Sequence, residues 1–108
     1  MFKGAIVLVP FPFTDLSGQK VRPALILHVS RKGEDCVVAF ISSKKEKKSG
    51  DFDISIVASQ TNGLKVNSVI KMNKIATLQR KIILGELGYV ETSLYKEIDK
   101  KLKKLFEL

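Results

Sequence analysis

The sequence predicts a mainly β domain, an all-β barrel or α+β fold of SH3-like size, with five to six strands followed by a C-terminal helix. Three observations lead there. Short apolar or alternating segments recur up to about residue 90, separated by turn formers. Near residue 92 the hydrophobic period changes from two residues to three or four. The chain has 108 residues, 44% of them hydrophobic, enough for one modest core and too few for two ordinary ones. Residues 1–108 are therefore expected to form a single domain.

The first strand is expected over residues 4–13, where Ile6, Val7, Leu8 and Val9 are strand formers and Pro10 and Pro12 confine it to an edge or an end. Residues 14–20 read as a loop, because Asp15, Ser17 and Gly18 favour turns. The second strand is placed at residues 23–29. "RKGED" turns the chain into a third at residues 36–42. These two are almost continuously apolar, so they are expected at the buried centre of the sheet. After the polar loop "KKEKKSGD", "FDISIVA" alternates as a fourth strand, and "SQTNGLKVN" carries an Asn-Gly turn signal. "SVIKMNKIATL" is the fifth strand, with Lys71 and Asn73 on one face and Ile70 and Met72 on the other. "KIILGELGYV" is the sixth, its Gly85 and Gly88 permitting a bulge. Leu94, Ile98, Leu102, Leu105 and Phe106 then form one helical stripe, with Thr92 or Ser93 available to cap the start.

A net charge of +8 is the strongest compositional fact, and it is unevenly spread. Residues 16–33 hold four basic side chains and no acid; residues 54–84 hold five, again with no acid. A field of this sign favours a polyanionic partner, although a lysine-rich solubilising surface is the plainer reading. No apolar run approaches the roughly 20 residues of a membrane helix, and the N-terminus lacks the cleavage pattern of a signal peptide. A cytoplasmic protein without membrane contact is expected. The single Cys36 excludes an internal disulfide and reads as a buried small hydrophobe. The one histidine, His28, reads as structural, and a Cys/His zinc site would have too few ligands. Neither cofactor nor metal is expected.

No Gly-rich phosphate loop, His-Glu metal motif or plausible Ser-His-Asp set is present. An enzyme built from this chain would have to work with arginine, lysine and hydroxyl groups. RNA cleavage fits that set, because RNA brings its own nucleophile, the 2′-hydroxyl. An arginine fork matches the two oxygens of a charged phosphorane. Taken alone, Arg22 before Pro23 either starts a strand or marks a site, while Ser42 and Ser43 read as turn residues.

"GAIVLVPFPFTDLSGQKVRPALIL", "VVAFIS" and "SVIKMNKIATL", in that order and followed by the helix, resemble the PemK/MazF-like toxins of toxin–antitoxin systems over nearly the whole chain. The resemblance implies a small SH3-like barrel and a homodimer that cleaves single-stranded RNA at short sequences without metal, restrained by a cognate acidic antitoxin. It places the catalytic arginine on Arg22 and the catalytic hydroxyl on Ser42, where the family has threonine. Thr14, Ser17, Lys20, Ser43, Asn73 and Lys74 are implied to bind substrate, with Ser43 the rival to Ser42, and residues 14–19 forming a lid. Ala5 departs from the family's usual aspartate, and Asn73-Lys74 stands for its Gln-Arg-like step. A gyrase-poisoning toxin on the same barrel, or a non-catalytic RNA-binding barrel, would not require Arg22 and Ser42.

Overall fold

The computed structural model describes residues 1–11, 20–43 and 50–108, and at position 11 the backbone only. Six strands are present: β1 (Ala5–Phe11), β2 (Lys20–Val29), β3 (Asp35–Ser42), β4 (Asp53–Ile56), β5 (Ser68–Gln79) and β6 (Gly85–Tyr89). They form one curled antiparallel sheet, a half-barrel, in the order β4-β5-β3-β2-β1-β6. The helix α1 (Tyr95–Phe106) closes the described chain. As their continuous apolar character predicts, β2 and β3 lie in the middle. Along both, successive residues alternate between two cores. Leu25, Ala39 and Ile41 join Ile6, Ile54, Ile70 and Met72 on the side covered by α1. Ala24, Ile26, Cys36 and Val38 join Val7 and Val9 on the other. Both faces are therefore apolar at the centre, the reason the alternation is muted there.

Several element boundaries differ from expectation. β2 starts at Lys20, not at Pro23, and Pro23 lies inside the strand opposite Leu8. β1 is not an edge strand; it lies between β2 and β6, and Pro10 is tolerated because β6 pairs no further along than Leu8. The segment expected as the start of the sixth strand instead makes a 3-10 turn at Arg80–Ile82, where Arg80 N–H bonds Glu34 O at 2.8 Å. Neither Thr92 nor Ser93 caps α1; they belong to a 3-10 turn, Thr92–Leu94, that leads into it. Within the helical stripe Ile98 is buried and Leu94 and Leu102 pack on the core, but Phe106 is exposed at the end.

The Asn-Gly turn does more than reverse the chain. Asn62 is fully buried. Its side-chain nitrogen donates to Val57 O at 2.8 Å and to Glu91 Oε1 at 2.7 Å. Its oxygen accepts from the N–H groups of Ser59 and Leu64, both at 3.0 Å. Gly63 follows at φ 70°, and a Cβ there would overlap the Leu87 carbonyl. A Cβ on Gly88 would overlap the Thr61 carbonyl, to which Tyr89 N–H bonds at 3.0 Å. This turn thus clasps β6 and ties the two ends of the curled sheet together.

Candidate active site

Arg22 lies on β2 opposite Val9 of β1, and is half-buried. Its placement follows from its proline neighbour. The carbonyl of Ile26 faces β1, where it accepts Gly4 N–H at 2.8 Å. Backbone groups alternate sides along a central strand, so Pro23, three residues earlier, turns towards β3. Proline has no N–H to offer there. The β2–β3 ladder accordingly ends at Ala24 opposite Phe40, while β2 stays paired with β1 as far as Lys20.

Continuing the Ala24–Phe40 register by two residues brings Arg22 opposite Ser42. Both share the face of Ala24 and Phe40 by alternation. Ser42 is half-buried and its backbone remains paired with Val69 of β5. The arginine and the hydroxyl thus share one face just beyond the last paired residues of β2 and β3. Lys20, exposed, lies on the same face two residues before Arg22. Ser43 falls on the opposite face. There it lines an apolar cavity of about 290 Å³ with Val21, Pro23, Leu64 and Leu87. The sequence showed that Ser42 and Ser43 point apart; the strand register shows which of them shares the arginine's face.

Asn73 and Lys74 line this side at an irregularity of the β3–β5 ladder. Phe40 pairs with Lys71 but Ala39 pairs with Ile75, so Met72, Asn73 and Lys74 bulge out of the ladder. Met72 anchors the bulge: it is buried in the helix-side core and its N–H bonds Phe52 O at 3.0 Å. Asn73 and Lys74 are left exposed and, with Phe40 and Ile75, line an open depression of about 420 Å³. Lys71, across from Phe40, and Asn73, beside Phe40 in the depression, share one face while Ile70 and Met72 lie in the helix-side core, as the two-residue period predicts. Thr14, Ser17 and the proposed lid 14–19 lie outside the described residues.

One neighbour of the site was not foreseen. Lys71, across from Phe40, is ion-paired to Asp53 of β4 at 2.9 Å, with both side chains largely buried. Burial alone would raise the Asp53 pKa. The Gly50 N–H and the Lys71 ammonium outweigh it and hold the carboxyl below its ordinary range. Only the β4–β5 register brings the two together, so spacing gave no signal. A carboxylate with a lowered folded pKa stabilises above its unfolded value, near 4, and that stability fades as the pH falls through the lower folded value. Asp53→Asn is expected to lose about 1 kcal/mol at pH 7. The gap to wild type should close below about pH 4. Denaturant unfolding across pH 3–7 checks this, and parallel curves for the two proteins would refute it.

Cys36 and His28 take no part. Cys36 is buried, and burial pushes its thiol pKa up, the opposite of a reactive cysteine. His28 is exposed beside a β2 bulge.

The chain is thus a small, strongly basic half-barrel of six strands with a C-terminal helix. Residues 2–106 match the family described as PemK-like, MazF-like toxin of type II toxin–antitoxin system, and the chain belongs to that family. No curated protein sequence matches the chain. Among solved structures it is similar to an endoribonuclease in complex with its cognate antitoxin from Mycobacterial species, at 17% identity and TM-score 0.77, covering 100% of this chain and 96% of that one. Toxin MazF-mt6 of Mycobacterium tuberculosis is 20% identical with TM-score 0.75, covering 96% and 97%. MazF in a MazE–MazF crystal structure from Deinococcus radiodurans is 19% identical with TM-score 0.74, covering 100% and 97%. No helix among the described residues is long and apolar enough to cross a membrane.

Proposed function

We propose that this toxin is an endoribonuclease that cuts single-stranded RNA at a short sequence without requiring a metal ion. The observation that carries the reading is that the β2–β3 register, continued past Ala24 and Phe40, sets Arg22 across from Ser42 on one face. In the reaction the RNA 2′-hydroxyl gives up its proton to solvent and its oxygen bonds to the adjacent phosphorus. The bond from phosphorus to the 5′-oxygen breaks, and that oxygen takes a proton. The Arg22 guanidinium faces the extra negative charge of the pentacoordinate phosphorus, where a fixed fork of donors acts most strongly. The Ser42 hydroxyl donates to the departing oxygen. Lys20 and Lys74, within a net charge of +8 for the chain, draw the RNA backbone in.

The family and the structural relatives solved with antitoxins support an acidic cognate antitoxin as partner. An acidic segment of it would compete with RNA for the basic face. We place the active unit as a homodimer acting in the cytoplasm, where its RNA substrate lies. The test is incubation of the purified protein with single-stranded RNA in excess EDTA. Discrete fragments ending in 2′,3′-cyclic phosphate and 5′-hydroxyl groups are expected. Intact RNA at high protein concentration, with DNA gyrase inhibited instead, would overturn the assignment.

A further inference from the structure

The depression opened by the β5 bulge lies on the face that Arg22 and Ser42 share with Phe40. Phe40 stands two residues before Ser42 on β3, so the ring and the hydroxyl are on the same face about 7 Å apart along the strand. Phe40 is half-buried, its base resting on the core of Val7, Val9, Ala24 and Val38 while its outer part lines the depression. Ile75 extends this apolar floor. Asn73 and Lys74, both exposed, form the wall. An apolar ring beside a side-chain amide and an ammonium is the makeup of a nucleobase site. The ring stacks on the base, the amide offers a donor and an acceptor to its edge, and the cation meets a phosphate. The surroundings agree in charge. Lys20, Arg22, Lys71 and Lys74 gather on this side, and Asp53, the acid paired to Lys71, is largely buried.

We propose that Phe40 is the stacking platform, and Asn73 the edge reader, for the nucleotide adjacent to the scissile phosphate, and that the two set the base preferred at that position. The proposal rests on the ribonuclease reading above. It assigns to Phe40 a role that nothing in the apolar pattern of "VVAFIS" suggested. It also gives the bulge a purpose: without the three unopposed residues, β5 would stay close against Phe40 and leave no room for a base.

The experiment compares wild type, Phe40→Leu, Phe40→Trp and Asn73→Ala on a randomised single-stranded RNA pool, with fragment ends sequenced and kcat/KM measured on the best substrate. Loss of a base–aromatic stack is expected to lower kcat/KM by roughly 5- to 100-fold in Phe40→Leu, and Phe40→Trp should retain or exceed wild-type cleavage. Asn73→Ala should broaden the base accepted at one position beside the cut and leave the others unchanged. It is exposed, so it tests the site without risk to folding. Wild-type cleavage in EDTA, measured in parallel, keeps the two readings apart. If wild type cuts and both Phe40→Leu and Asn73→Ala cut the same sequences at the same rate, this proposal fails and the ribonuclease assignment stands. If Phe40→Leu cuts normally but dimerises more weakly by light scattering, the ring belongs to an interface between copies and the base site is refuted. Normal cutting with weaker inhibition by an acidic antitoxin peptide would likewise refute it, in favour of a peptide contact.

Discussion

Arg22→Ala is expected to cut RNA cleavage by about 10²- to 10³-fold or more, the usual cost of removing one preorganised donor from a developing negative charge. The fold should survive. Arg22 is half-buried on β2, and the strand's pairing with β1 is carried by backbone groups that the substitution leaves in place. Thermal unfolding within a few degrees of wild type would separate lost chemistry from lost structure. Arg22→Lys should recover little, since an ammonium keeps the charge but loses the planar fork. The companion series concerns the hydroxyl. Ser42→Ala is expected to lose about 10²-fold or more and Ser42→Thr to remain active, because the oxygen is retained. Ser43→Ala should lose far less, its side chain lying across the strand from the arginine. Equal losses at positions 42 and 43, or an active Arg22→Ala protein, would remove the site from this face of the sheet.

The largest expected stability effect lies elsewhere, at Asn62. Asn62→Ala would leave the amides of Ser59 and Leu64 and the carbonyl of Val57 without that partner, and Glu91 without one of its donors, at a largely part-buried turn around a fully buried side chain. Each buried group so stranded costs about 1–3 kcal/mol, partly recovered by relaxation of the turn. A net loss of about 3 kcal/mol and a Tm lower by roughly 10 °C or more are expected. Gly88→Ala should act in the same direction, by pushing the Thr61 carbonyl away from β6. Calorimetry on the two variants decides the matter. A loss under about 1 kcal/mol in Asn62→Ala would mean that the turn is a surface feature, not a clasp.

Much of this molecule is legible along the chain. Hydrophobic period separates the strands from the terminal helix, and the apolar continuity of "PALILHV" and "CVVAFIS" identifies the two central strands. Both signals are local and need no partner to be read. The misreadings share one cause. Pro23 was taken to begin β2 because proline is a poor strand residue, yet its missing N–H faces only the β3 side, so β2 continues back to Lys20 along β1. Lys71 and Asn73 do share the face that alternation gave them, but the break in the β3–β5 ladder after Lys71, and the depression it leaves, depend on pairing distant in sequence. Asn62 read as an ordinary turn residue, since nothing near it in sequence reveals that Glu91 and β6 will enclose it.

The sequence by itself determined the residue types of the site: an arginine before a proline, a pair of serines at a strand end, and an excess of cations. Family likeness gave two of those residues a role. Only the tertiary structure decided which residues stand together. A strand's two-residue period says that neighbours point apart, but which face meets which is set by register with other strands, and that depends on pairings distant in sequence. Register places Ser42 rather than Ser43 on the arginine's face, turns Lys71 to Asp53, and opens the depression that Phe40 and Asn73 share.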